Sequence, residues 1–266
     1  MGTGGVAFAT VLANALAAGI LFWRECRMTG PLRLELRRLL KPDAVSLRSI
    51  IRIGWPAGVQ GAVFSFSNLI IQAAINSLGA DVMAGSVAAF TIEINVYCFI
   101  NAFGLAATTF VSQNYGAGKP DRVKKSYFIA LAYSFGVGLV LGGSLFIFGR
   151  QFLALFTTEG AVIDAGMKRV GVMGFAYCIS AFMACTIAAS RGLGKTVVPT
   201  VIVVLGSCVF RVIWVYTIFA HFHTIPSLYL LYPCSWALTA IAEILYFIHC
   251  YKQAMKIFRE PIPSSL

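Results

Sequence analysis

Seven apolar segments dominate this chain of 266 residues, and each is long enough to cross a lipid bilayer. Crossing about 30 Å of hydrocarbon takes about 20 apolar residues in a helix. The segments cover residues 6–23, 50–77, 82–111, 127–148, 170–190, 197–220 and 228–251. Runs this long and this uniformly apolar are not barrel strands, and a helix satisfies its own backbone groups in lipid. The pattern therefore predicts an all-α, polytopic integral membrane bundle of seven transmembrane helices.

Composition supports a membrane protein and argues against several soluble classes. Hydrophobic residues make up 59% of the chain and charged residues 12%, yet the net charge is +11. In a soluble domain such a charge would suggest nucleic-acid binding. Here the basic residues concentrate in connections between apolar runs, so no nucleic-acid partner is predicted. The cysteines form no C-x-x-C pair. No combination of Ser, His and Asp or of Cys and His lies at a common depth in the membrane. The sequence therefore predicts neither an enzyme nor a metal site nor a cofactor.

The distribution of positive charge predicts an orientation. Most of the 21 Lys and Arg residues lie in alternate connections: residues 24–48, the turns near residues 119–125 and 191–195, and the tail. Connections rich in Lys and Arg remain in the cytoplasm. We therefore predict a multi-pass cell-membrane protein with a cytoplasmic C-terminus and with Met1 outside.

Three stretches identify a family resemblance. They read IRIGWPAGVQGAVFSFSNLIIQAAINSLG (51–79), VAAFTIEINVYCFINAFGLAATTFVSQNYGAGKPDR (87–122) and RGLGKTVVPTVIVVLGSCVFRVIWVYTIF (191–219). Their content, order and spacing resemble the multidrug and toxic compound extrusion (MATE) family, with QNYGAGKPDR and RGLGKT as the most specific motifs. Family members have twelve helices in two six-helix lobes. The resemblance implies that this chain corresponds to the sixth helix followed by the second lobe.

This resemblance also implies a domain plan. Residues 1–23 are expected to form the last helix of a first lobe, and residues 24–48 a basic cytoplasmic linker between lobes. Residues 49–252 are expected to form the six-helix lobe, and residues 253–266 a cytoplasmic tail. Five preceding helices are expected to be absent, so the opposing half is expected to come from a missing N-terminal lobe or a second copy. We expect the chain alone to insert in the membrane without conferring drug resistance.

The function implied by the resemblance is secondary active transport. It is an antiport, coupled to Na⁺ or H⁺, that exports cationic or amphipathic drugs and toxic compounds. One alternative is a flippase for lipid-linked oligosaccharides, which shares the helix plan and is expected to have several basic residues lining its cavity. A second alternative is a non-transporting membrane fragment or accessory subunit.

Glu93 is the first candidate site residue, because it is a lone carboxylate inside the apolar run 82–111. A carboxylate at that depth costs several kcal/mol, so such residues usually face a cavity, a partner charge or an ion path. A carboxylate in a low-dielectric cavity can also exchange protons near neutral pH. We predict Glu93 to be the cation or proton coupling residue.

Two polar and aromatic stripes are predicted to line a substrate cavity. Glu93, Tyr97 and Asn101 recur at i, i+4 and i+8, which places them on one helix face. The preceding helix repeats this spacing with Gln60, Phe64 and Asn68. Together the stripes are suited to a flat, partly apolar cation held by cation–π contacts. For Asn68 and Asn101 the alternative is hydrogen bonding between helices, worth about 1 kcal/mol per pair.

Two further intramembrane charges, Arg211 and Glu243, are predicted charge partners. From a rise of about 1.5 Å per residue, Arg211 and Glu93 lie about 4 and 5 Å on the outer side of their helix midpoints. Glu243 lies about 5 Å on the inner side of its own. Depth therefore favours the pairing of Arg211 with Glu93 over its pairing with Glu243.

Overall fold

A computed structural model describes residues 3–29 and 43–257 of the chain, and those ranges contain helices and no strand. Five long helices come first: α1 (Thr3–Arg27), α2 (Ala44–Asn76), α3 (Ala80–Gly116), α4 (Pro120–Ala154) and α5 (Gly160–Gly192). They are followed by α6 (Val197–Phe222), the short α7 (Ile225–Tyr229) and α8 (Leu231–Ile257). In the described part of the chain, seven helices are long and apolar enough to cross a membrane. The predicted all-α, seven-span architecture is confirmed.

Helix α6 is irregular. Its backbone has π-helical geometry at Val204–Val209 and again at Val215–Phe219, with one α-helical stretch, Phe210–Trp214, between them. Such π segments are uncommon and frequently lie at functional sites. Arg211 lies in the stretch between the two π segments.

The chain divides into two compact units, Met1–Gly54 and Trp55–Leu266, and the division falls within α2. In the first unit Asp43 precedes α2 and accepts hydrogen bonds from the Ser46 hydroxyl (2.7 Å) and backbone N–H (2.8 Å). These bonds hold the pKa of Asp43 below its usual value, because they favour the carboxylate form. Much of the predicted 24–48 linker and of the 253–266 tail lies outside the described residues.

Helix α5 forms the centre of the second unit. Its most apolar stretch is 67% buried, whereas the corresponding stretches of α3 and α4 are 28% and 22% buried. Helices α3, α4 and α8 pack around it, and Val96, Ile100, Met173 and Trp236 belong to the shared core. Along the C-terminal half of α2, Ile71 and Ile75 form a second cluster with residues of α6, α7 and α8. Side chains on the inner faces of α2, α3, α5 and α6 are thereby brought together.

The two specific motifs of the sequence form tight turns between helices. Gly118 follows α3 with φ +67°, and Gly194 follows α5 with φ +76°, a backbone region that favours glycine. In the first turn the Lys119 N–H donates to the Asn114 carbonyl, and in the second the Lys195 N–H donates to the Ser190 carbonyl. These bonds cap the last carbonyls of each helix in the Schellman pattern. The predicted turn between the third and fourth helices is confirmed.

The helices extend beyond their apolar runs. The fifth span was predicted over residues 170–190, but α5 begins at Gly160 and ends at Gly192. Hydropathy detects only the part of a helix rich in apolar residues, whereas the hydrogen-bonded backbone continues past the first charge. Arg169, which precedes the predicted span by one residue, is therefore a buried residue of α5.

Candidate functional site

Two adjoining pockets open between the helices of the second unit. Pocket A has a volume of about 320 Å³, and its wall includes Gln60, Asn101 and Arg191. Pocket B has a volume of about 470 Å³, and its wall includes Asn68 and other residues named below. Both fall within the usual size range of ligand sites. Phe64, Tyr97 and Met183 line both pockets and so form the boundary between them.

All five predicted cavity residues lie on these walls. Gln60, Phe64, Tyr97 and Asn101 line pocket A, and Phe64, Asn68 and Tyr97 line pocket B. Helical spacing brings the two stripes together, because α2 and α3 each present residues at i, i+4 and i+8. A role for these residues in substrate binding stays a prediction.

Glu93 lies behind the wall of pocket B, bound to two of its lining residues. Its side chain is 1% exposed. Arg169 donates to it through Nη2 at 2.8 Å and through Nε at 3.1 Å to each carboxylate oxygen. The Tyr177 hydroxyl donates to Oε2 at 3.2 Å. The carboxylate is therefore held in a charge-assisted, bidentate ion pair.

The prediction that Arg211 is the partner of Glu93 is wrong. Arg169 is the partner of Glu93. It is 4% exposed, and its Cζ lies 5.6 Å from the centroid of the Phe90 ring and 4.8 Å from that of the Tyr229 ring. Depth along a helix does not determine which face a side chain occupies. Arg169 was also not among the residues whose depths were compared, because the predicted apolar run begins one residue after it.

Arg211 is instead surrounded by aromatic side chains. Its Nε donates to the Ser235 hydroxyl at 3.0 Å. Its Cζ lies 5.2 Å from the Phe64 ring, 4.6 Å from the Tyr232 ring and 5.9 Å from the Trp236 ring. The side chain is 1% exposed, and no carboxylate among the described residues forms a salt bridge with it.

The second predicted partnership of Arg211, with Glu243, is also not observed. Glu243 on α8 is 0% exposed, and neither carboxylate oxygen has a hydrogen-bond partner among the described residues. A buried polar group left without a hydrogen bond costs about 1–3 kcal/mol. The unpaired oxygens make Glu243 the position at which we expect an apolar substitution to stabilise the fold.

Replacing Glu243 by Met is expected to raise the free energy of unfolding by about 1–3 kcal/mol, because the change removes an unsatisfied carboxyl group and keeps its volume. Unfolding in detergent, followed by tryptophan fluorescence, measures the change. The matched control Glu159→Met alters an exposed residue and should stay within about 0.5 kcal/mol of wild type. Marked destabilisation by Glu243→Met would instead indicate a charge partner, for which Arg191 is the candidate.

Sequence reasoning missed four contributors to the site, three of them on one face of α5. Arg169, Met173 and Tyr177 recur at i, i+4 and i+8 along α5 and all line pocket B. The same spacing that identified the stripes on α2 and α3 would have found this third stripe if the predicted span had begun earlier. Arg191 was also missed; it donates to the Gln60 side-chain oxygen at 2.7 Å in pocket A.

The fold and these pockets define a class: a polytopic membrane protein with a charged, aromatic cavity between its helices. The model of the MatE family matches residues 56–217, which covers all the helices that line the two pockets except for residues of α8. The chain belongs to the MatE family.

Curated relatives carry names that fit this assignment. The chain is 29% identical over 213 residues to the probable multidrug resistance protein NorM of Thermotoga maritima, a match covering 76% of this chain and 43% of the relative. It is 26% identical over 208 residues to the probable multidrug resistance protein YoeA of Bacillus subtilis, covering 76% and 44%. The chain thus spans about half the length of the curated relatives it matches.

Solved structures have the same fold. One described as "Crystal structure of MATE in complex with MaL6" is similar with a TM-score of 0.83 and 19% sequence identity. The similarity covers 95% of this chain and 57% of that chain. At this identity the likeness establishes the fold alone.

Proposed function

We propose that this chain supplies the substrate pocket of a secondary efflux transporter in the cell membrane. Its substrates are proposed to be amphipathic aromatic compounds, including the cationic drugs that the family resemblance implies. The observation that carries this proposal is pocket B, where Phe64, Tyr97 and Trp236 line the same cavity as two buried arginines. Aromatic walls with a few placed polar groups are typical of small-molecule sites. The positive charges near residues 119–125 and 191–195 favour a cytoplasmic C-terminus.

Glu93 is the proposed coupling residue, and its ion pair suggests how coupling would work. A proton or Na⁺ that reaches this carboxylate competes with the Arg169 guanidinium for the same oxygens. Cation binding and the ion pair therefore exclude one another, which yields two states of the site. An antiporter needs two such states, each biased by one of the exchanged solutes.

The transport cycle is proposed to need a second wall around the pockets. Transporters of this kind generally move one repeat against another around a central site. In this chain all residues that line pockets A and B belong to the unit Trp55–Leu266. The relatives are about twice as long as their match to this chain. The opposing wall is proposed to be a preceding lobe or a second copy.

A flippase for lipid-linked oligosaccharides is the second candidate, and one observation favours it. The sequence identifies only Arg211 as a mid-membrane basic residue, whereas Arg169, Arg191 and Arg211 all line the pockets. Arginine recognises phosphate through bidentate hydrogen bonds. The names of the curated relatives, which are probable multidrug resistance proteins, favour efflux over the flippase.

Replacing Tyr97 by Leu is expected to reduce efflux of the aromatic cation ethidium about fivefold or more. Tyr97 lines both pockets, and a lost aromatic contact is worth about 1 kcal/mol or more. Ethidium retention is measured in cells lacking their own efflux pumps. The cells express either the chain alone or the chain together with the segment of the Thermotoga maritima relative that this chain does not match. The control Tyr216→Leu changes an exposed tyrosine of α6 away from both pockets. Absence of efflux in both arrangements would favour a non-transporting fragment.

A further inference from the structure

We propose that Arg211 forms an oxyanion subsite in pocket B. The subsite binds the carboxylate or phosphate oxygens of an amphipathic substrate whose aromatic part contacts the neighbouring rings. This inference rests on the proposed function and adds to its substrate class amphipathic compounds that carry an acidic group. Such acidic substrates differ from the cationic ones that the family resemblance implies. The reason for proposing them is the unpaired positive charge of Arg211 in pocket B.

Arg211 lines pocket B and has a guanidinium nitrogen without a hydrogen-bond partner among the described residues. Arg211 lines pocket B although only 1% of its surface is exposed. Nε donates to Ser235, whereas Nη2 has no hydrogen-bond partner among the residues that the structure describes. Leaving a buried charged group without its partner costs several kcal/mol, so a native guanidinium in this state indicates a missing counter-charge.

The charge balance of pocket B points to an anion as that counter-charge. Its charged lining residues are Arg169 and Arg211. Glu93 neutralises Arg169 through its ion pair at 2.8 Å. No described residue does the same for Arg211, so the pocket wall carries one uncompensated positive charge.

Aromatic side chains surround the Arg211 guanidinium and supply the apolar part of the proposed subsite. Arg211 Cζ lies over the rings of Phe64, Tyr232 and Trp236, 4.6 to 5.9 Å from their centroids, and no described carboxylate is among these neighbours. The N–H donors point outward in the plane and match a carboxylate or phosphate bidentately. A ligand that pairs with Arg211 therefore has its apolar part beside Phe64 and Trp236, which both line the pocket.

The backbone around Arg211 is irregular in a way that fits a binding site. Two π-helical segments, Val204–Val209 and Val215–Phe219, flank the stretch that carries it. Each wider turn rotates the residues that follow relative to a regular helix. Segments of this kind are frequent at functional sites.

The test is equilibrium binding of 2-naphthoate to the purified chain in nanodiscs of phosphatidylcholine, followed by tryptophan fluorescence. The neutral probe 2-acetylnaphthalene has the same rings without the carboxylate. We expect Arg211→Met to weaken naphthoate binding about tenfold or more and to leave acetylnaphthalene binding unchanged. Arg211→Lys keeps the charge without the planar fork and should lie between wild type and Arg211→Met. Arg150→Met, which removes an exposed arginine, is the matched control and should bind naphthoate like wild type.

Two results would overturn the proposal: equal affinity of the wild-type chain for both probes, or undiminished naphthoate affinity in Arg211→Met. No naphthoate binding by wild type at about 1 mM also counts against it. Nanodiscs with phosphatidylglycerol separate two sources of the oxyanion. If naphthoate binding is weaker in these discs than in phosphatidylcholine discs, the subsite is assigned to the anionic headgroup of a lipid. Binding is measured without transport, so loss of efflux in the Tyr97 experiment and loss of anion preference here are separate findings.

Discussion

Replacing Glu93 by Leu is expected to lower the free energy of unfolding by about 3–5 kcal/mol, because it leaves the Arg169 guanidinium buried without its carboxylate. Arg169 is 4% exposed and directs Nε and Nη2 at Glu93, and Tyr177 loses the acceptor of its hydroxyl as well. Unfolding of the purified chain in detergent measures the loss.

Removing both charges tests whether the unpaired Arg169 charge causes the loss of stability. Arg169→Met in the Glu93→Leu background should recover most of the lost stability, since replacing a whole buried ion pair by apolar residues is often neutral or stabilising. The control Arg150→Met breaks the exposed pair with Asp164 and should cost at most about 1 kcal/mol. If the double variant is as unstable as Glu93→Leu alone, the ion pair is not the reason for the loss.

The double variant also tests coupling without the complication of unfolding. It keeps the helices packed but has neither the carboxylate nor the competing guanidinium. If Glu93 couples transport to Na⁺ or H⁺, efflux by this variant should no longer respond to an imposed gradient of either ion. Efflux that still follows a gradient would remove Glu93 from the coupling mechanism.

The fold was predictable from sequence because its main determinant is local. A stretch of about 20 apolar residues in lipid must be helical, whatever its neighbours are. The stripes on α2 and α3 were predictable for the same reason, since residues four apart share a face. All five predicted cavity residues accordingly line pockets A and B.

The partners of the buried charges were not predictable in this way. Which side chains meet depends on the rotation of each helix, and that is set by packing of small and large residues between elements far apart in sequence. Arg169 and Glu93 lie 76 residues apart, and Arg211 faces rings of α2 and α8. The π segments of α6 add a rotation that no periodic pattern of apolar residues reveals.

Replacing Gly142 by Ala is expected to lower the free energy of unfolding by about 3 kcal/mol, the upper part of the range for overpacking. A Cβ at this position would lie 2.1 Å from the backbone carbonyl oxygen of Gly174. Neither backbone can rotate away as a side chain would, so α4 and α5 must separate. Close approach of helices at small residues is a common way to pack membrane helices.

The neighbouring glycine provides a matched control for this prediction. A Cβ at Gly143 meets nothing within 4 Å, so Gly143→Ala should be neutral or stabilise the helix by up to about 1 kcal/mol. Unfolding of both variants in detergent compares them directly, and equal stability would show that the close α4–α5 contact does not limit packing. Because α5 carries Met173 and Tyr177 on either side of Gly174, its displacement should also weaken 2-naphthoate binding in pocket B. A destabilised Gly142→Ala variant with unchanged naphthoate affinity would show that pocket B does not depend on this contact.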